Sequence, residues 1–416
     1  MEEGSTANQR TRVLVLVVST ACVFLTSFSL TAYSVFVPAL LKEFPWTRAE
    51  VVLPYALAMA VWGITQPIAG ALADARGTRP AILFGISLMA VGFAIMGLSQ
   101  DLWQIAIGFG VLGGAAISAS GTLMFSLLIS KWFTGASRAS AVGFVQAAVP
   151  ACPIVMAPLI FFGITTFGWR FAALGLAALL LVVALPLAFL GVRDPKTAVS
   201  SVDAGSSQSK WQEVVAVARF AALRNLFIAR LVCGLSAALL LAHMAAAALE
   251  FGLSAADGAY ALSIYGASGA LGSFLGGFAA DRWGRVPTVV AAFAVRGLGT
   301  LLLALPGLDR TLFFLAVALA TGPITATFGI NNVQVFELAG AKRAGFLLGI
   351  SVVLHQAAGA LSPVLAGMVF DWTGTYRWTF LGLGLVTLLA TIPAAGTGPR
   401  RSTPQPAAAG LAAGAR

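Results

Sequence analysis

Gly70-Ala71-Leu72-Ala73-Asp74-Ala75-Arg76-Gly77 and Gly277-Phe278-Ala279-Ala280-Asp281-Arg282-Trp283-Gly284 share a glycine, an alanine, an aspartate and a closing glycine at matching places, 207 residues apart. The same offset carries Trp169-Arg170 onto Tyr376-Arg377. Landmarks so far apart on one spacing imply an internal repeat. In a strongly apolar chain such a repeat is the signature of transporter folds, whose substrate sites lie near the midplane between the repeats.

The surrounding chain is membrane-like. Of its 416 residues 59% are hydrophobic and only 10% charged, with a mean hydropathy of +0.92; soluble domains carry about 25% charged residues. Blocks such as Val13–Leu41 and Phe171–Val192 exceed the roughly 20 residues needed to cross the hydrocarbon core. No strand-period alternation supports a barrel, and only helices satisfy their own backbone in lipid. The expected fold is therefore an all-α membrane protein of twelve transmembrane helices in two pseudo-symmetric six-helix bundles. The spans fall near 13–41, 49–74, 79–99, 102–130, 138–163, 169–192, 224–250, 257–280, 287–306, 310–337, 343–370 and 376–396. Residues 1–12 are expected as a cytoplasmic tail, 13–192 and 224–396 as the two bundles, and 193–223 as a cytoplasmic linker. Within the linker, Lys210–Leu223 reads as a short amphipathic surface helix. The Ala/Gly/Pro-rich stretch 397–416 reads as a disordered tail. The first apolar block is too long for a signal peptide and is expected to stay as helix.

With the N-terminus placed in the cytoplasm, 19 of the 25 Lys and Arg residues fall on the inner side, Arg230 among them, and 5 on the outer side; Arg296 falls within a span. This is the positive-inside asymmetry, and it puts both termini in the cytoplasm. The net charge of +10 thus reports orientation in a plasma or inner membrane and contact with anionic inner-leaflet lipid. It does not point to nucleic acid. Cys22, Cys152 and Cys233 sit in apolar spans without metal or disulfide spacing. No cofactor or metal is expected, and a monomer is expected.

Gly70, Leu72, Asp74, Gly77 and Arg79, with the degenerate copy Gly277, Asp281, Gly284 and Arg285, resemble the loop motif of the major facilitator superfamily. Tyr33-Ser34-Val35-Phe36-Val37-Pro38, Glu43-Phe44-Pro45-Trp46-Thr47-Arg48, Lys131-Trp132-Phe133 and Gly168-Trp169-Arg170 are similar to the monocarboxylate and oxalate/formate branch. The signatures of drug antiporters, sugar porters and peptide transporters are missing. The resemblance covers residues 13–396. It implies that Asp74, with Arg76 and Arg79 nearby, meets the start of the eleventh helix near Arg343 and holds the inner side shut in the outward-open state. By pseudo-symmetry Asp281 would meet the start of the fifth helix near Arg138. An aspartate also suits the positive N-terminus of a helix on electrostatic grounds alone. Glu337, Arg343 and Arg285 could form an inner ion-pair latch, or simply be solvated.

Charges near the bilayer centre are costly enough to need a reason, and no Asp or Glu lies deep in any span. Proton coupling, if present, then falls to His243, His355 or the substrate's own proton. His355-Gln356 reads as a carboxylate-binding or proton-accepting pair, or as a histidine satisfied by a backbone carbonyl or Ser362. His243 is a second candidate, or a structural hydrogen-bonding residue. Asn331 and Asn332 are cavity candidates or interhelical glue, with Gln334 sharing a face with Asn331. Tyr33, Tyr265 and Gln146 could present polar groups to an anion, and the tyrosines could equally be membrane-interface aromatics, though both lie deeper than a belt residue should. The resembled branch commonly carries an arginine in the eighth helix, and Gly258–Phe278 contains no basic residue. Arg296, roughly 13 Å into the ninth span, could supply that cation, or could snorkel or make an inter-helix bond.

These readings converge on a secondary transporter of small organic anions, monocarboxylates first, working by proton symport or anion exchange in a rocking, alternating-access cycle. Proton-coupled efflux of neutral or cationic amphiphiles is the alternative, and the lack of a buried acid in the first helix counts against it. A membrane-embedded enzyme or a sensor is the alternative from another class. Two separated histidines and no buried carboxylate leave no catalytic residues to assign.

Overall fold

The computed structural model describes residues 2–133, 136–195, 220–339 and 341–398. Among these described residues there are twelve long helices. Eleven are long and apolar enough to cross a membrane: α1 (Gln9–Glu43), α2 (Arg48–Ala73), α3 (Thr78–Leu98), α4 (Leu102–Trp132), α5 (Ser140–Phe167), α6 (Trp169–Gly191), α7 (Ala221–Glu250), α9 (Arg285–Leu302), α10 (Arg310–Val335), α11 (Leu347–Thr373) and α12 (Arg377–Ala395). The twelfth, α8 (Ala255–Trp283), has 29 residues but is diluted by glycine, serine and alanine. Those small residues are there for packing. A Cβ at Gly266 would sit 2.5 Å from the carbonyl oxygen of Pro150 on α5, and one at Gly272 would collide with the Gly322 carbonyl on α10. Small residues let helices approach where lipid supplies no hydrophobic drive for association.

Helix positions follow the expected spans closely. Two differences concern ends. The helical backbone begins at Glu2 rather than near residue 13, since nothing in 5–12 interrupts it. The α7 helix opens at Ala221, while most of the proposed linker helix, and the tail beyond residue 398, lie outside the described residues.

The internal repeat is visible in the backbone. Gly77 and Gly284, at the offset of 207, both adopt φ 91°, with ψ 162° and 158°. That left-handed conformation suits glycine and turns α2 into α3 and α8 into α9. Positions Ser34 and Leu241, again 207 apart, touch each other: the Ser34 hydroxyl donates to the Leu241 carbonyl at 2.5 Å, where α1 meets α7. A contact between repeat-equivalent residues marks the axis relating α1–α6 to α7–α12.

The face where α1 begins is the inner face in the orientation that the charge asymmetry predicts. The two helix sets meet from the outer face to mid-depth. At the outer end, the backbone N–H groups of Arg48 and Ala49, the first turn of α2, donate to the Asp371 carboxylate at the end of α11 (2.9 and 3.0 Å). Deeper, a Cβ at Gly63 on α2 would lie 3.1 Å from Gln356 on α11, and Ser263 on α8 donates to the Pro153 carbonyl on α5. In that orientation these contacts between the two helix sets lie in the outer half.

Just past the end of α6, Asp194 accepts from the N–H groups of Thr78 and Arg79 and from the Thr78 hydroxyl at the start of α3. Burial alone would raise its pKa. These bonds and Lys131 outweigh it and hold the carboxyl below the usual range, so the clasp is lost only as pH falls through that depressed value.

Candidate functional site

α7 runs from the inner face, and Arg230 lies nine residues into it, about 14 Å along the axis. Its side chain is fully buried. The guanidinium carbon stands 3.5 Å from the centroid of Phe328 on α10, and Nη1 donates to the Phe328 carbonyl at 3.2 Å. Nε and Nη2 have no partner. Counted in the sequence as an inner-side cation, Arg230 is instead an intramembrane one. The continuous helix from Ala221 carries it past the point where its side chain could snorkel out.

Arg296, on α9, is also fully buried. It does not snorkel. Nη1 donates to Thr327 Oγ1 on α10 at 3.2 Å and approaches the Cys233 sulfur on α7 at 3.5 Å, while Nη2 bonds the Ser236 hydroxyl. Nε is unpartnered. Among the described residues neither arginine forms an ion pair.

His355 is within electrostatic reach of both arginines. Its ring meets Phe328 edge-on at 5.5 Å, so Phe328 is shared between Arg230 and His355. His355 Nδ1, Gln356 Oε1 and both amide atoms of Asn331 are buried without partners. Tyr265 on α8 lies within reach of Arg296. Five helices, α7 to α11, therefore bring two guanidiniums, an imidazole and a phenol together. Placing a lone arginine at the helix centre costs about 2.5–3.5 kcal/mol on insertion scales. A desolvated cation–π contact returns about 2 kcal/mol or more, and each unmet buried hydrogen bond costs about 1–3 kcal/mol. The arrangement is short of negative charge, and an anion would supply it.

The profile of the Major Facilitator Superfamily matches residues 20–244 and 226–414. The chain belongs to the major facilitator superfamily. It is similar to monocarboxylate transporter 11 of Mus musculus, 26% identical over 365 residues, 83% of this chain and 78% of that one. It is also similar to monocarboxylate transporter 13 of Rattus norvegicus, 24% identical, with 88% and 85% covered. Among solved structures, a D-xylose-proton symporter superposes with TM-score 0.73 at 15% identity, over 93% of this chain and 98% of that one. A bacterial homologue of the lysosomal transporter Spinster, inward-facing and occupied, gives 0.71 at 17%, covering 93% and 96%. Identities this low establish the fold, not the cargo. This superfamily member is an integral, multi-pass membrane transporter that resembles the monocarboxylate branch.

Other proposed site residues fall outside the transporter's arginine cluster. Tyr33 donates its hydroxyl to the Val51 carbonyl at 2.6 Å and stacks on Phe109. His243 uses both ring nitrogens: Nε2 donates to the Pro363 carbonyl and Nδ1 accepts from the Tyr376 hydroxyl, each at 2.8 Å. The carbonyl can only accept, which fixes this tautomer for the neutral ring. His243 thus ties α7 to α11 and α12 near the outer end. Gln146 is exposed, 3.4 Å from Ser126. Asn332 is half-buried, and Gln334 is drawn toward α12 by Thr397.

The gating residues divide similarly. The side chains of Asp74 and Arg343 lie outside the described residues. Arg76, Arg138 and Asp281 are exposed, and Asp281 and Arg138 do not pair with each other. Arg79 is taken up by α6, donating to the Phe189 carbonyl at 2.8 Å. Arg285 and Glu337 do form an ion pair, joining the inner ends of α9 and α10. Asp371, missed in the sequence because it reads as an ordinary helix end, caps α2 across the outer seam. Such a cap contributes about 1–2 kcal/mol. Asp371→Ala is expected to raise outside labelling of a Ser34→Cys reporter by about five- to thirty-fold, measured with an impermeant maleimide.

Proposed function

We propose that this transporter moves small organic anions, monocarboxylates foremost, by alternating access, with the carboxylate held between Arg230 and Arg296 beside His355. The observation that carries the reading is the pair of fully buried guanidiniums with unmet N–H groups and no ion-pair partner among the described residues. Guanidinium recognises carboxylate through two parallel hydrogen bonds, and Arg230 presents Nε and Nη2, the edge suited to that geometry. The monocarboxylate transporters among its relatives support the same cargo class. Once a bound carboxylate offsets the charge of the two nearby guanidiniums, His355, with Nδ1 free, can take up the proton that accompanies the acid in symport.

The test is uptake of radiolabelled acids into proteoliposomes with and without a pH gradient. Accumulation of an acid is expected, and its stimulation by an inward proton gradient identifies symport over exchange. Expulsion of a cationic dye with no acid accumulated would overturn the reading. Arg296→Gln and Arg296→Lys separate the two arginines: full uptake in the Gln variant confines carboxylate binding to Arg230.

A further inference from the structure

A second feature faces the same crossing of α2 and α11 from the other side. α1 is interrupted at Ser27 and α4 at Gly121, where the backbone turns extended (φ −79°, ψ 178°). The two breaks are tied together, the Thr26 hydroxyl donating to the Ser120 carbonyl at 3.2 Å. Beside them lies a cavity of about 140 Å³ walled by Leu30, Ile117, Val149 and Trp62, with Gln66 and Thr122 also on its lining. An engineered apolar cavity of about 150 Å³ holds one benzene ring, so this space fits a single aryl group.

Its polar atoms are arranged unevenly. Trp62 Nε1 donates to Gln66 Oε1 at 2.7 Å, which fixes the indole and turns the Gln66 amide nitrogen the other way. Gln66 Nε2 and Thr122 Oγ1 are buried and lack partners. An apolar slot with an unmet N–H donor and an unmet hydroxyl suits a ring that carries an oxygen substituent. Gly63, next to Trp62, packs against Gln356, next to His355. The slot and the arginine cluster thus flank one helix crossing.

We infer that the N-terminal six-helix side holds an aryl subsite for organic acids whose ring bears a hydroxyl or carbonyl oxygen, received by Gln66 and Thr122. This rests on the anion reading for the carboxylate end. Leaving such buried groups unpaired is costly, so a site built to hydrogen-bond a hydroxyl discriminates strongly against the ring that lacks one.

The test uses full-length protein in proteoliposomes with three probes, propionate, phenylacetate and 4-hydroxyphenylacetate, and binding of neutral 4-methylphenol to the detergent-purified protein. Wild type is expected to take up 4-hydroxyphenylacetate at least tenfold more efficiently than phenylacetate. The double variant Gln66→Leu/Thr122→Val is expected to erase that ratio while leaving propionate uptake unchanged, which a misfolded variant would not do. Val149→Phe, which fills the slot, is expected to abolish 4-methylphenol binding and to spare propionate. Equal uptake of the two aryl acids in wild type, or an unchanged ratio in the double variant, overturns the subsite while leaving the anion reading intact. Failure of every acid together with 4-methylphenol binding that Val149→Phe removes overturns the anion reading and keeps the slot.

Discussion

Arg230→Gln is expected to lower acid uptake at least 30-fold while leaving the protein folded and in the membrane. Truncating one partner of a buried, hydrogen-bonded charge pair costs about 2–5 kcal/mol, and 1.4 kcal/mol is a factor of ten. Arg230→Lys is expected to recover little of the loss. Lysine keeps the charge but gives up the planar face that lies over Phe328 and the two-point grip on a carboxylate. Initial-rate uptake, normalised to protein in the proteoliposomes, measures both. The comparison with Arg296→Gln is informative because Arg296 already spends its Nη groups on Ser236, Thr327 and Cys233. Arg230 holds the larger share of unmet donors, so its loss is expected to be the more severe.

Gly272→Val is expected to cost enough to remove most of the folded protein. The added carbons would meet the Gly322 carbonyl where α8 crosses α10, and backbone cannot yield as a flexible side chain does. Overpacking of this kind costs about 1–3 kcal/mol and more when the obstacle is rigid. A Cβ at Gly277, five residues further on, would meet nothing within 4 Å, so Gly277→Val is the matched control. Monodisperse yield and thermal unfolding of the purified variants read the difference. Equal behaviour of the two would contradict the close α8–α10 approach.

The repeat phrases at 70–77 and 277–284 were enough to read the architecture, because a loop that reverses tightly between two helices demands the same glycine twice, and the backbone at Gly77 and Gly284 agrees to within a few degrees. Helix 8 was legible by its place in the repeat, although its glycines lower its hydropathy. The site was less legible. Arg296 stood out because apolar residues surround it far from any loop. Arg230 did not, since the sequence does not show where α7 begins, and an arginine near a helix end ordinarily snorkels. His243 and His355 look alike in sequence, each single in an apolar run. Their difference is tertiary: Tyr376 and Pro363 satisfy one, while Phe328 and two arginines surround the other. Likewise, Asp371 acquires its partners across the seam only because the first turn of α2 stands opposite it.

The most direct measurement is the binding of an acid and its neutral amide, phenylacetate against phenylacetamide, to the purified protein by calorimetry, in wild type and in Arg230→Gln. The amide preserves shape and removes the charge. The predicted result is binding of the acid alone, lost in the variant. Binding of the amide as tightly as the acid, or undiminished binding of the acid by Arg230→Gln, would contradict a carboxylate site built on the buried arginines.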